Sequence, residues 1–178
     1  MLMALGWSAQ IPIPFALLLR ITSFSKSISR AVNMKLNVYL SGEIHTDWRE
    51  QIIAGCKGSG ITFSSAVTNH EASDAAGDVL GAEENSFWRD HKSAKVNAMR
   101  ISTLIEQCDI AVIRFGDKYK QWNAAFDAGY CAAKGKPYIT LHGEEIIHPL
   151  KEVDAAAYAW ATTPEQVVEM LTYIVAES

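Results

Sequence analysis

Short apolar runs recur along the chain and alternate with segments whose apolar residues repeat at helical spacing. The runs predict four strands, at Lys35–Leu40, Ile61–Ser64, Asp109–Phe115 and Pro137–Leu141, and a short fifth strand at Tyr158–Ala161. The third run is apolar at nearly every position, which is typical of a strand buried on both faces. We therefore expect that run to lie inside a sheet rather than at its edge.

The segments between these strands predict helices. Four are expected: one capped by Thr46 or Asp47 and ending near Lys57, one at Ala94–Gln107, one at Trp122–Ala133, and one from Pro164, capped by Thr163, to about Val175. The polar stretch from about Asn69 to Lys92 is long for a loop in a compact domain, so we expect it to be functional or partly helical. His148–Glu152 predicts a turn before the last strand.

Strands that alternate with helices indicate a parallel sheet covered on both faces. The expected fold is therefore a three-layer α/β domain. With about five strands, we favour the flavodoxin-like, doubly wound strand order 2-1-3-4-5. Ligands in such sheets bind beyond the carboxyl ends of the strands, where the strand order reverses. That rule predicts a ligand crevice between the ends of strands one and three.

Residues 1–33 differ in composition from the remainder. They contain three basic residues and five serines but no Asp or Glu, so the net charge of −4 for the chain becomes −7 for residues 34–178. Two interpretations stay open: an organellar transit peptide, or untranslated upstream sequence with Met34 as the working start. We expect residues 34–178 to be a single domain in the cytoplasm, or in the mitochondrion or another organelle if the extension is a transit peptide.

Composition excludes several classes of protein. In 178 residues, 49% are hydrophobic and 20% are charged, which is typical of a folded globular chain rather than a disordered one. The negative net charge argues against a nucleic-acid polymer as partner. The nine-residue apolar stretch Ile11–Leu19 is short of the about 20 residues that span a bilayer, so no membrane association is expected.

Familiar cofactor and metal motifs do not occur in the sequence. There is no GxGxxG or GxxxxGK[ST] motif, and the three cysteines form no CxxC pair. His45, His70 and Asp74 lack the spacing of a common metal motif, so we expect no metal site. The cysteines are expected to be small buried packing residues.

Two loops are predicted to meet at the crevice. The loop after strand one begins at Ser41 and Gly42, and the loop after strand three runs from Phe115 to Asn123. Gly42 lets the backbone approach a ligand closely, and the helix N-termini that follow could hold a phosphate or carboxylate. Asn123 and Asp127 are four residues apart and so share one helix face.

Five sequence stretches resemble the YtoQ-type family: YLSGEIHTDWRE, NHEASD, FGDKYKQWNAAFDAGY, AKGKP and HPLKE. The resemblance runs from about Lys35 to the C-terminus. That family is similar in turn to the nucleoside 2-deoxyribosyltransferases and to the nucleotide N-glycosidases related to them. Their first strand ends in a YLAG-like sequence, matched by Tyr39–Gly42. Their helix after strand three opens with a GTxxExGYA-like motif, matched by Asn123–Cys131.

The resemblance implies cleavage or transfer at the N-glycosidic bond of a nucleoside, a nucleotide or a related N-glycoside. In the transferases, the glutamate of the second motif attacks the anomeric carbon of the deoxyribose, and Asp127 occupies its position. Aspartate is one methylene shorter, which withdraws the carboxylate by roughly 1.3 Å. The implied role of Asp127 is therefore nucleophile or electrostatic stabiliser of an oxocarbenium-like state.

Glycosyl transfer with retention also needs a general acid for the leaving base, and Glu43 is the candidate acid or hydroxyl ligand. The chemistry requires no cofactor, and the expected partner is a small nucleoside or nucleotide. Aromatic side chains could stack on a base, and cationic ones could neutralise a phosphate. The candidate substrate-binding residues are Ser41, Gly42, His45, Trp48, Gly116, Lys118, Tyr119, Trp122, Asn123, Asp90 and Arg100.

A rival interpretation is a noncatalytic nucleotide-binding or signalling module, because a fold does not fix a function. A stacking aromatic and an anion-binding loop without a reachable carboxylate would favour this rival. On a purely structural interpretation, Asp127 belongs to a hydrogen-bond network beneath the loop, and Tyr119 and Trp122 are packing residues. Whether the chain forms a homo-oligomer stays open. A carboxylate within hydrogen-bond reach of Tyr119 or Asn123, at the base of a closed pocket, would favour the enzyme over the binding module.

Overall fold

The computed structural model describes residues 34–117 and 121–176, so the predicted extension at residues 1–33 lies outside the described residues. Five parallel strands form one sheet in the order β2-β1-β3-β4-β5, which confirms the predicted topology. Their bounds are β1 Asn37–Gly42, β2 Thr62–Ser65, β3 Ile110–Arg114, β4 Tyr138–Leu141 and β5 Ala159–Ala161.

Six α-helices and two 3₁₀ helices lie in the described part of the chain. The α-helices are α1 Trp48–Gly55, α2 His70–Asp74, α3 Ser86–Gln107, α4 Trp122–Ala133, α5 Ile147–Ala156 and α6 Pro164–Val175, and the 3₁₀ helices are Ala75–Leu80 and Glu144–Ile146. Thr163 caps α6 with a reciprocal capping box to Gln166, and Pro164 follows in the first turn. Within the described residues, no helix is long and apolar enough to cross a membrane.

The third helix begins earlier than the apolar pattern predicts. The sequence places its start at Ala94, whereas α3 starts at Ser86. The side chain of Asn85 accepts hydrogen bonds from the amides of Phe87 and Trp88, at 3.0 and 3.4 Å, and so supplies the N-cap. The first two turns are exposed, and the apolar repeat that marks a core-facing helix begins only after them. The polar stretch before α3 is largely helical, through α2 and the 3₁₀ helix that follows it.

Three further predictions differ from the structure in detail. His148–Glu152 is not a turn but lies inside α5, because Pro149 occupies the third helical position, where a missing amide removes no intrahelical bond. Helix α1 ends at Gly55 rather than near Lys57. Asp47 is at its N-cap position, but its carboxylate accepts from the Gln51 side chain at 2.7 Å instead of capping the helix.

The central strand β1 separates two apolar clusters. Val38 and Leu40 pack with Trp48 and Ile52 of α1 and with residues of α6 on one face. Tyr39 packs on the other face, with residues of α3 and α4. Because side chains alternate along a strand, Ser41 shares the face of Tyr39. The end of β1 therefore presents Ser41 to the layer that contains α3 and α4.

Candidate active site

A cavity of about 1060 Å³ extends from the C-terminal end of β1 into the space between α3 and α4. Its volume is sufficient for a nucleoside-sized ligand. Its walls come from the β1 end, the segment after β2, the helices α2 and α3, and the helix α4. The lining residues are Ser41, Gly42, Ile44, His45, Ala66, Val67, His70, Ser73, Asp74, Asp90, Ser93, Ala94, Asn97, Ala98, Met99, Arg100, Ile101, Ser102, Gln121, Asn123, Ala124, Phe126, Asp127 and Tyr130.

A buried carboxyl group lies in the wall of this cavity. Asp127, in the second turn of α4, is 4% exposed, and Ser41 is 2% exposed. The Ser41 hydroxyl donates a hydrogen bond to Asp127 Oδ2. Burial raises the pKa of Asp127 to about 6, and the Ser41 hydrogen bond acts in the opposite direction because it favours the charged form. The carboxyl can therefore exchange a proton close to neutral pH.

Tyr39 is a second buried polar group on the same face of β1. Its ring is fully buried, and its hydroxyl has no hydrogen-bond partner among the described residues. Burial, and then the negative charge of Asp127, raises the pKa of this phenol, so it stays protonated. The phenol is therefore a neutral group beneath the Ser41–Asp127 pair.

Gly42 gives the end of β1 a backbone shape that other residues adopt poorly. Its φ is +102°, and a Cβ placed there would collide with the backbone carbonyl of Arg114. The next amide, of Glu43, donates to that same carbonyl at 3.1 Å. The chain consequently leaves the sheet in a sharp turn along the cavity wall.

Glu43 is buried and directed into its own loop. Its carboxylate accepts from the backbone amide of His45 and from the Thr46 hydroxyl, the latter at 2.5 Å. A Cβ at Gly116 would overlap with the Glu43 side chain, so the glycine makes room for it. Neither Glu43 nor Gly116 is among the cavity-lining residues. The geometry thus gives Glu43 a part in organising the loop.

Two residues of α1 fix this loop from behind. The indole of Trp48 donates to the Glu43 carbonyl at 2.8 Å and lies buried in the core, away from the cavity lining. The Arg49 guanidinium donates to the carbonyls of Leu40, Gly42 and Glu43, at 3.5 Å for the first and 3.0 Å for the second. The guanidinium carbon Cζ of Arg49 lies 4.4 Å from the centroid of the Trp48 ring. Arg49 is 4% exposed, so this guanidinium is a buried part of the loop support rather than a surface charge.

Other predicted residues reach the cavity from different elements. The imidazole rings of His45 and His70 are 5.5 Å apart between centroids. Asp90 and Arg100, both on α3, also line it, and Arg100 donates to the carbonyl of Ser65 at 3.3 Å. No group of three or more His, Cys, Asp or Glu residues in the described ranges is placed to hold a metal ion.

Around the start of α4, the described residues match only part of the predicted site. Asn123 lines it, but Trp122, at the first position of α4, is 72% exposed and is not a lining residue. Lys118 and Tyr119 lie outside the described residues. Their proposed contacts with a phosphate or a base remain predictions.

His70, Asn97, Phe126 and Tyr130 are among the lining residues that the sequence-based assignment of the site did not include. Phe126 and Tyr130 lie three and seven positions after Asn123, a spacing that places them on the same helix face, so this signal was available in the sequence. His70 and Asn97 had no comparable signal, because their approach depends on how α2 and α3 pack against each other.

Comparison with known proteins adds three findings. A family model described as "Nucleoside 2-deoxyribosyltransferase YtoQ" matches residues 39–175. The chain is 40% identical over 144 residues to "Uncharacterized protein YtoQ" of Bacillus subtilis (strain 168), covering 79% of this chain and 97% of that protein. It also resembles the structure of a 2-deoxyribosyltransferase from Bacillus psychrosaccharolyticus, with a TM-score of 0.50, 17% identity, and coverage of 80% and 97% of the two chains. At that identity, the structural likeness extends to the fold alone.

Proposed function

The chain belongs to the nucleoside 2-deoxyribosyltransferase YtoQ family, and from this premise we propose that it cleaves or transfers at the N-glycosidic bond of a nucleoside or related N-glycoside. The observation that carries the proposal is the Asp127 carboxyl, buried in the wall of a cavity and bonded to Ser41. Asn123 lines the same cavity one helical turn earlier. The buried carboxyl in the cavity wall is the feature that supports an enzyme rather than a noncatalytic binding module.

In the proposed reaction, the ionised Asp127 carboxylate attacks the anomeric carbon of the sugar. A new carbon–oxygen bond forms as the carbon–nitrogen bond breaks, and its electron pair leaves with the base, which takes up a proton from a general acid. Water, or a second base, then displaces the aspartate from the glycosyl ester and restores its carboxylate. Attack by water is hydrolysis, and attack by a base is transfer.

The general acid is best sought among the groups that line the cavity. Asp74, Asp90 and His45 are lining residues, whereas both carboxylate oxygens of Glu43 accept hydrogen bonds within the loop. We therefore assign Glu43 to the support of the loop and propose that a cavity-lining group protonates the leaving base.

The charged groups that line the cavity indicate which charge on the substrate is favoured. Its described lining residues include the carboxyls of Asp74, Asp90 and Asp127 and the guanidinium of Arg100. A wall with more carboxyls than guanidinium groups repels a phosphate dianion. We propose that an uncharged nucleoside is a better substrate than the corresponding nucleoside monophosphate.

The test is release of free base from a panel of nucleosides and their monophosphates, with and without an acceptor base. Asp127→Asn is expected to lower base release more than about 10³-fold while retaining substrate binding, because the amide keeps the shape but cannot attack. The matched control is Asp78→Asn, an exposed aspartate outside the cavity lining, which is expected to leave the rate unchanged. Full activity of Asp127→Asn would overturn the nucleophile assignment. Binding without turnover across the whole panel would favour the binding module.

A further inference from the structure

We propose that Ser41 is a positioning residue for Asp127, and that the two residues form one functional unit in which the serine compensates for the shorter acid. The proposal rests on the proposed function, since it concerns the group assigned as nucleophile. It starts from a contact: two of the positions at which this chain departs from the motifs of its relatives are joined by a hydrogen bond. Ser41 stands at the alanine of the YLAG-like sequence, and Asp127 at the glutamate of the GTxxExGYA-like motif.

The backbone holds Ser41 in a fixed place. It is the fifth residue of β1, is paired in register with Ile113 of β3, and is 2% exposed. Its hydroxyl proton is donated to Asp127 Oδ2, across 86 residues of sequence. A hydroxyl has one proton to give, so the serine engages one carboxylate oxygen and leaves Oδ1 for the substrate. Ser41 thereby selects which oxygen attacks.

The same bond stabilises the charge that attack requires. A carboxylate that is 4% exposed has lost most of its hydration, and it needs a donor to remain ionised. Among the described side chains, Ser41 supplies the hydrogen bond that Asp127 receives. Alanine at this position would leave the buried charge without that donor. Glutamate at 127, one methylene longer, would push its carboxylate against the serine in a closely packed wall.

A double-mutant cycle tests this coupling. Ser41→Ala alone is expected to lower kcat for base release roughly tenfold or more with little change in KM, because charge-assisted hydrogen bonds are among the stronger ones. Asp127→Glu alone is expected to lose activity through overpacking. The double variant is expected to recover at least about tenfold over Asp127→Glu, since alanine creates the space that glutamate needs. Independent, multiplying effects of the two changes would overturn the proposal.

Proton titration of the Asp127 carboxyl supplies a readout that does not depend on activity. In protein labelled at the aspartate carboxyl carbon, with the signal assigned through Asp127→Asn, Ser41→Ala is expected to raise the titration midpoint by about one pH unit. The acid limb of the rate–pH profile should move in the same direction. Ser41→Thr keeps the hydroxyl and should keep the midpoint. An unchanged midpoint in Ser41→Ala would overturn the proposal.

The control for loss of a serine hydroxyl is Ser64→Ala. Ser64, on the neighbouring strand β2, has a buried hydroxyl without a hydrogen-bond partner in the described residues, and it does not line the cavity. Its removal should leave both the titration and the rate unchanged. Asp127→Asn could prove fully active while Ser41→Ala still shifts the titration midpoint of the Asp127 carboxyl. In that case the nucleophile proposal fails, and the effect of the Ser41 hydrogen bond on the carboxyl is supported. The two failures are thus distinguishable.

Discussion

The ionisation of one residue, Asp127, links the stability of this protein to its chemistry. Burial raises its pKa to about 6 from the ordinary 3.8, so the folded protein holds the proton more tightly than the unfolded chain does. Its contribution is fully favourable only below the unfolded pKa, and it is lost as pH rises from about 4 through about 6. Activity requires the ionised form, which is populated above that window. The group that serves the reaction therefore lowers stability under the conditions where it acts.

Asp127→Asn should separate these two effects. The amide does not titrate, so the variant should gain stability over the unmodified protein as pH rises through the window from about 4 to about 6, by up to about 3 kcal/mol, and base release should be lost. Urea unfolding at a series of pH values measures the difference. Asp78→Asn, at an exposed position, should show no such pH-dependent gain. A difference that stays constant with pH would contradict the raised pKa of Asp127.

At the scale of elements, the end of β1 is held by α1 as well as by the sheet. Arg49 contacts three backbone carbonyls along the turn, and Trp48 contacts one of them. Buried carbonyls need donors, and a planar guanidinium can serve several acceptors in one fixed geometry. Helix α1 therefore fixes the turn from which Ser41 and Gly42 meet the cavity.

Arg49→Lys should test this support. A single ammonium cannot reach all three carbonyls, so the free energy of unfolding should fall by about 2 to 4 kcal/mol. The midpoint of urea unfolding measures this change, with an unchanged slope indicating that the fold is retained. Substrate KM should rise, because the loop that carries His45 loosens. Arg89→Lys, at an exposed position on α3, is the matched control. An unchanged midpoint in Arg49→Lys would show that the three contacts contribute little.

The same elements show what sequence patterns could and could not predict. Alternating strands and helices predicted the parallel sheet, and the correct strand order was chosen from the common doubly wound orders. Thr163 with Pro164 marked the start of α6. The first turns of α3 escaped notice because they lie outside the apolar repeat. In the site, Ser41 and Asp127 could each be located from the topology, but their hydrogen bond depends on side-chain packing. Arg49 was missed because the charged pattern around it is also typical of an exposed helix.

At the scale of the whole molecule, the described residues contain apolar layers for both faces of the sheet. One face of β1 packs with α1 and α6, and the other packs with α3 and α4. The cavity lies in the second layer, so its walls depend on the packing of α3 against α4 as much as on the strand ends. The rule for parallel sheets therefore predicts the part of the cavity at the end of β1, but it does not predict that the cavity extends to Tyr130.

Removal of residues 1–33 tests the division of the chain into an extension and one domain. Within the described ranges, the strands, the helices and both apolar clusters lie between residues 34 and 176. The extension has three basic and no acidic residues, a composition unlike that of the domain. We expect a chain that begins at Met34 to unfold within a few degrees of the full-length protein, measured by calorimetry, and to release base at the same rate. A domain of this size shifts by roughly 2 to 4 °C for each kcal/mol of stability. A fall of about 10 °C or more would therefore show that the extension packs on the domain with several kcal/mol of interaction.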